Sequence, residues 1–205
     1  MLRRGDKFSF NDFFKVNSLR RKAKKNKKDF SFYFVEANSK IINTVKAYKS
    51  VDGVFNCAIS NKSEVDIIKL YVTNGDFLSQ GSSIFKIKKN IDINKFVPSI
   101  GIPSDLFFSS LKKNIDSVHS NYVVILRLNC EGVEDDAIYA AHSNFNEKLV
   151  LIMGSLKDVK SNKGELEYNN LINYMKINAL PFVFFSSSPK SWLKAHSAIL
   201  DILIK

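Results

Sequence analysis

A dense run of cations, which could bind phosphates or carboxylates, lies near the amino end of the sequence. Its members are Arg20, Arg21, Lys22, Lys24, Lys25, Lys27 and Lys28. Residues 1–30 hold eleven of the 31 Lys and Arg residues against three Asp, so most of the net charge of +11 is concentrated here. Such a charge points to nucleic acid, an anionic lipid surface or an acidic protein. The rest of the chain is nearly neutral, so we expect the amino-terminal segment to bind the anionic partner.

Phenylalanines precede this basic run. If residues 7–16 are helical, Phe10, Phe13 and Phe14 form an apolar stripe beside the cations. That pattern is typical of a helix that lies on an anionic surface or in a partner's groove. Alternatively, the short helix packs on the body while the lysines stay solvated, or the segment stays disordered until it binds. The sequence leaves these alternatives open.

A second group of candidate binding residues follows the predicted strands of the carboxyl-terminal half, where open parallel sheets bind ligands. The candidates for an anion site are Gly154, Ser155, Lys157, Ser186, Ser188 and Lys190. The amino end of the last predicted helix would add unpaired N–H groups. The serines also fit ordinary turn and capping roles, and no glycine-rich nucleotide loop is present.

The residue types needed for catalysis or metal binding are scattered. Cys130 could act as a nucleophile only with an activating base, and His142 and His196 fall on or beside apolar helix faces. The acidic residues 134–136 could hold a metal, but they also complement the amino end of a helix. Cys57 and Cys130 show no disulfide or zinc spacing. We predict no catalytic residue, metal or cofactor, and favour a non-enzymatic role while leaving activity open.

These residues must be positioned by two kinds of structure. Alternating apolar residues and tight turns predict a small antiparallel β module at 30–95. Apolar strands alternating with amphipathic helices predict an α/β layer with a short parallel sheet at 104–205. A basic arm, residues 1–29, precedes both, and the proline-bounded stretch 98–103 is the predicted joint. The predicted fold class is therefore α+β.

In the α/β layer, the predicted strands are Tyr122–Leu128, Leu149–Met153 and Phe182–Phe185. The predicted helices begin at Ser104, Glu134, Glu165 and Pro189, the last after a serine and with proline at its first position. These helices would cover both faces of the sheet.

One segment of the β module resembles a known family. Asn74-Gly75 is a strong hairpin signal. The spacing of Val72, Gly75, Asp76, Leu78, Gly81, Ile84 and Ile87 resembles the closing hairpin of the biotinyl/lipoyl-like (barrel-sandwich hybrid) fold, which membrane-fusion adaptors of bacterial secretion systems also use. Ser50–Val54 is similar to the sequence with which the preceding strand of that family begins. The resemblance covers residues 50–87 and implies an adaptor-like module.

The same segment departs from the family pattern in two respects. The stretch Asn56–Asp66 is longer than the usual connection, and no hairpin presents a lysine for biotin or lipoate. The resemblance therefore does not imply carrier activity.

Together these features predict a non-enzymatic adaptor of a bacterial membrane-associated assembly, of the secretion or pilus type. It would dock through its basic arm on an acidic protein or an anionic membrane surface. One alternative is a nucleic-acid-binding accessory protein that uses the same arm, and another is a small α/β enzyme with an anionic substrate. No apolar segment approaches the roughly 18 residues of a membrane span. We therefore expect a soluble, cytoplasmic protein, and the sequence leaves open whether it also contacts the inner membrane peripherally.

Overall fold

The fold is α+β, as predicted, in a computed structural model that describes residues 16–45, 51–73, 82–87, 91–184 and 189–204. The helices in these ranges are α1 Val16–Lys25, α2 Ser39–Val45, α3 Ser104–Asp116, α4 Glu134–Phe145, α5 Lys157–Lys163, α6 Glu165–Ile177 and α7 Pro189–Ile204. The strands are β1 Tyr33–Val35, β2 Gly53–Phe55, β3 Ala58–Ser60, β4 Asp66–Thr73, β5 Ile91–Pro103, β6 Val124–Leu128, β7 Leu149–Gly154 and β8 Phe182–Phe184.

The strands form three small sheets, and the pairing in the amino-terminal half is mixed. Strand β1 pairs with β2 in parallel, β3 pairs with β5 in parallel, and β4 pairs with β5 in antiparallel orientation. The sequence predicts a purely antiparallel module, because no helix is anticipated there. Helix α2 lies between β1 and β2, and a crossover of this kind lets two consecutive strands run in the same direction.

The predicted joint at residues 98–103 is the end of the longest described strand. Strand β5 has 13 residues and lies at the centre of the order β3-β5-β4. Pro98 pairs with Lys69 on β4, whereas β3 contacts β5 only from Gly101 to Pro103. The missing N–H of Pro98 therefore falls where β5 has one described neighbour, which is where a sheet tolerates proline.

The parallel sheet β6-β7-β8 is covered on both faces, as predicted. On one face, Leu128 and Ile152 pack with residues of α3, α4 and α6. On the opposite face, Leu151 and Met153 pack with residues of α1 and α7. This alternation along β7 buries both faces of the strand, and it assigns α1 to the covering layer of the sheet.

The apolar core crosses both predicted domain boundaries. Cys57 belongs to the same buried cluster as Phe107 and Phe108, and the rings of Phe55 and Phe107 meet edge to face at 5.5 Å. At the other boundary, Leu19 shares a cluster with residues of the parallel sheet. Apolar contacts therefore cross each of the two predicted boundaries.

Candidate functional site

Most of the basic run lies in helix α1, which docks on the body through Leu19 and Ala23. Leu19 is 1% exposed and Ala23 is 0% exposed, and they share a cluster with Ala195, Ile199 and Leu203 of α7. The spacing of Leu19 and Ala23 places both on one helix face. Residues 16–25 are thus helical and docked, whereas the alternatives for the stretch 7–15 concern residues outside the described ranges. Phe10, Phe13 and Phe14 lie outside the described residues.

Local interactions explain where α1 ends. Lys22, Lys24 and Lys25 lie in its last turn, where cations stabilise the negative end of the helix dipole. Asn26 donates its side-chain N–H to the carbonyl of Lys22 at 3.0 Å, and Lys27 then adopts a φ of 56°. The helix therefore ends in a left-handed turn, after which the chain leaves toward β1.

Two cations fix the docked helix at its sides. Arg20 pairs with Asp52 beside β2, and Lys28 Nζ donates to the carbonyl oxygen of Ile202 in α7 at 3.2 Å. Four further cations of the same run are exposed, and none of them forms an ion pair with a described residue: Lys22, Lys24, Lys25 and Lys27. We call these four residues, three from the last turn of α1 and Lys27 from the turn that follows, the basic face of α1. It presents several positive charges on a rigid support.

The carboxyl edge of the parallel sheet carries a cleft of about 320 Å³. The cleft is lined by Ser155, Leu156, Lys157, Lys160, Tyr168, Phe184 and Ser191. It contains two of the predicted anion-site residues, Ser155 and Lys157. Ser186 and Ser188 lie outside the described residues, and Lys190 is the second residue of α7.

Gly154, a third predicted anion-site residue, has a packing role. It is the last residue of β7, and a Cβ atom there would lie 2.9 Å from the carbonyl oxygen of Leu128 on β6. That distance is shorter than a normal van der Waals contact, so the close approach of the two strands requires glycine.

Helices α5 and α6 bring two cleft residues that the sequence analysis missed, Lys160 and Tyr168. Lys160 Nζ lies 2.7 Å from a carboxylate oxygen of Glu165 and 5.4 Å from the centre of the Tyr168 ring. The hydrogen bond to Glu165 raises the pKa of the Lys160 ammonium. The available sequence signal is the spacing of Lys157 and Lys160, one helical turn apart in a segment for which no helix is predicted.

A buried side chain, Glu134, binds the backbone of the loop that follows β6. Glu134, 1% exposed, accepts hydrogen bonds from the N–H groups of Cys130 at 2.9 Å and Gly132 at 2.8 Å. Burial raises the pKa of Glu134 to about 7. Burial likewise raises the pKa of the Cys130 thiol to about 12, so this thiol is not ionised at neutral pH. An activated nucleophile would need the opposite shift.

Three other residues considered for catalysis or metal binding, His142, Asp135 and Asp136, have structural partners. His142 Nδ1 lies 2.6 Å from the hydroxyl oxygen of Tyr174. Lys163 Nζ bonds both Asp135 and Asp136, which ties α5 to α4. Within the described part of the chain, no cluster of His, Cys, Asp and Glu side chains is suited to hold a metal ion.

A larger cleft, of about 550 Å³, opens between the β3–β4 connection, the start of α3 and one side of α4. Its lining is rich in hydroxyl groups, including those of Ser63, Ser109 and Tyr139. Its two carboxylates are already engaged, since Asp105 accepts from Asn144 at 2.9 Å and Asp136 bonds Lys163. The sequence analysis did not anticipate this cleft, because its residues come from separate segments.

Among the described helices, none combines the length and apolar character that crossing a bilayer requires. Comparison of the chain with known proteins finds no matching family model, no similar curated protein and no similar solved structure.

Proposed function

We propose that this protein is a non-enzymatic interaction protein that binds an anionic surface through the basic face of α1. The observation that carries the proposal is the docking of Leu19 and Ala23 on α7 and the sheet, which leaves Lys22, Lys24 and Lys25 pointing away from the body. Fixing these side chains on a folded support lowers the conformational entropy lost on binding, compared with a disordered basic tail.

The partner that we propose is an anionic membrane surface or the acidic surface of a protein bound there, as expected of an adaptor in a secretion-type or pilus-type assembly. The hairpin resemblance at residues 50–87 supports the adaptor role. Since Leu19 and Ala23 are buried in the core, these residues of α1 are not available for apolar insertion, and we expect the helix to contribute charge. We expect the apolar contribution to docking to come from the neighbouring Phe10, Phe13 and Phe14, which lie outside the described residues.

The test is sedimentation with vesicles that contain phosphatidylserine, at low and high salt, with phosphatidylcholine vesicles as the uncharged reference. The triple variant K22Q/K24Q/K25Q removes charge from the basic face. The matched control K113Q/K176Q/K194Q removes the same charge from exposed positions elsewhere on the body. We expect binding to be lost in the first variant and at high salt, and kept in the control.

Equal losses in the two variants would overturn the proposal, because binding would then follow net charge alone. Full-chain variants are preferable to a truncation at residue 30, which would uncover the Leu151 and Met153 side of the sheet.

Nucleic acid is the competing partner for the same cations. Duplex DNA, titrated under the same salt conditions, distinguishes it. Contacts between lysines and phosphates would give a steep, sequence-independent loss of affinity with salt. If DNA binds and phosphatidylserine vesicles do not, the accessory-protein alternative replaces the adaptor.

A further inference from the structure

The cleft lined by Ser155 and Ser191 lies where the connections of two neighbouring strands leave the parallel sheet on opposite faces. After β7 the chain enters α5 and α6, and Leu171 and Met175 of α6 pack on one face. After β8 it enters α7, whose Ala195 and Ile199 pack on the other face. Open α/β sheets bind ligands at this kind of divergence, beyond the carboxyl ends of the strands.

The lining of the cleft combines positive charge with aromatic surface. Lys157 is exposed at its rim and Lys160 lies over the Tyr168 ring at 5.4 Å. Phe184, at the end of β8, leaves 55% of its surface exposed, although it is a large apolar residue. Ammonium groups bind anions, and exposed aromatic rings bind flat apolar groups. The two kinds of surface lie in one cleft.

Two serine hydroxyl groups, of Ser155 and Ser191, also line the cleft. The Oγ atom of Ser155 accepts a hydrogen bond from the N–H of Lys157 at 3.4 Å, and the Oγ atom of Ser191 donates to the carbonyl oxygen of Phe184 at 3.5 Å. The bond that Ser155 accepts is long, so this hydroxyl can turn toward a ligand at little cost. Among the seven described lining residues none carries a carboxylate, which favours an anion over a cation.

The size of the cleft limits what it can hold. Its volume of about 320 Å³ is at the lower end of the range for small-molecule sites. A dinucleotide or an oligosaccharide would exceed it, whereas one ring system with one charged group fits. Lys160 already has Glu165 as a partner, so Lys157 is the cation with the fewest competing contacts.

We propose that this cleft binds a small planar aromatic molecule with one anionic group, of the size of a nucleoside monophosphate. Lys157 and Lys160 bind the anionic group, and Tyr168 and Phe184 contact the ring. This site is separate from the basic face of α1 and does not depend on the function proposed above.

The test is calorimetric titration of the full chain with three probes: adenosine 5′-monophosphate, adenosine and inorganic phosphate. Since the charge and the ring both contribute, we expect the monophosphate to bind at least about tenfold more tightly than either other probe. The variant K157M should weaken binding of the monophosphate to about the level of adenosine. The variant Y168L should weaken adenosine and monophosphate binding but leave phosphate binding unchanged.

Two control variants separate this site from other cations. K22Q/K24Q/K25Q removes charge from the basic face, and K113M removes an exposed lysine of α3. Neither should change the affinity for the monophosphate. The proposal is overturned if K157M binds the monophosphate as wild type does, if the basic-face variant alone loses binding, or if none of the three probes gives measurable heat at millimolar concentration.

Discussion

Arg20 of α1 pairs with Asp52, which lies immediately before β2, and the same carboxylate oxygen of Asp52 accepts the N–H of Phe32 at 2.6 Å. One carboxyl group therefore joins the basic helix to two segments of the amino-terminal strands. The contact couples the basic segment to the body, although the sequence analysis separates them at residue 29.

Asp52 should contribute more to the free energy of unfolding through its hydrogen bond with the Phe32 N–H than through its ion pair with Arg20. We expect D52A to lower the free energy of unfolding by about 1–2 kcal/mol, because it leaves the Phe32 N–H without this acceptor. R20M should cost less than about 1 kcal/mol, since both partners of the ion pair are partly exposed. Urea unfolding of each variant measures both values. If R20M lowered the free energy of unfolding more than D52A does, the ion pair would be the stronger of the two interactions, contrary to this prediction.

The docking of α1 predicts that one buried leucine of the basic segment stabilises the whole fold. We expect L19A to lower the free energy of unfolding by about 2–4 kcal/mol, because it opens a cavity between α1, α7 and β7. The exposed neighbour Lys24 supplies the control, since K24A should change stability by less than about 0.5 kcal/mol. If L19A unfolds at the same urea concentration as wild type, α1 is not part of the cooperative unit.

Glu134 should make stability fall as pH rises through the weakly acidic range. Its pKa lies at about 7 in the folded protein and near 4.5 when exposed, so the folded state binds an additional proton between these values. Stability from this group is full below pH 4.5 and is lost progressively up to about pH 7. E134Q removes the titration, so its stability relative to wild type should rise from pH 5 to pH 8.

Between pH 5 and pH 8, the difference in unfolding free energy between E134Q and wild type should change by a few kcal/mol at most. E147Q, which alters an exposed carboxyl on the turn between α4 and β7, is the matched control and should keep the wild-type dependence on pH. Parallel curves for E134Q and wild type would show that Glu134 does not titrate in this range.

Both cysteines should be unreactive in the folded protein. Burial raises the pKa of Cys57 to about 11 and of Cys130 to about 12, and only the thiolate reacts rapidly with iodoacetamide. At neutral pH we expect mass spectrometry to find little labelling in buffer and complete labelling in urea. Rapid labelling of Cys130 in the folded protein would restore it as a candidate nucleophile.

The α/β layer was predictable because each of its strands is a short apolar run. Val124–Leu128 and Leu149–Gly154 lie within one or two residues of the predicted bounds, and α4 begins and ends where its apolar period indicates. In contrast, no strand was predicted at residues 98–103, because two prolines in a short stretch are typical of a linker. Only the tertiary pairing with β4 and β3 makes this segment a strand.

The docking of α1 and the full lining of the cleft were not predictable for another reason. Leu19 and Ala23 are two apolar residues within a run of cations, and their spacing acquires meaning only opposite α7. Lys160, Tyr168 and Ser191 come from three helices that the fold brings together. The hairpin resemblance stays a prediction, because its turn at 74–81 lies outside the described residues; Tyr71 and Ser83 beside it exchange backbone hydrogen bonds.

The covering of the sheet by α1 and α7 has a consequence for translation. Helix α1 is synthesised before every strand of this sheet and α7 after all of them; Lys28 and Ile202, which are hydrogen-bonded, are 174 residues apart in the chain. A ten-residue helix is marginal in water by itself, and contacts between distant residues form late. During translation the lysines of α1 are therefore accessible to polyanions in the cell before the surface on which α1 docks has been synthesised.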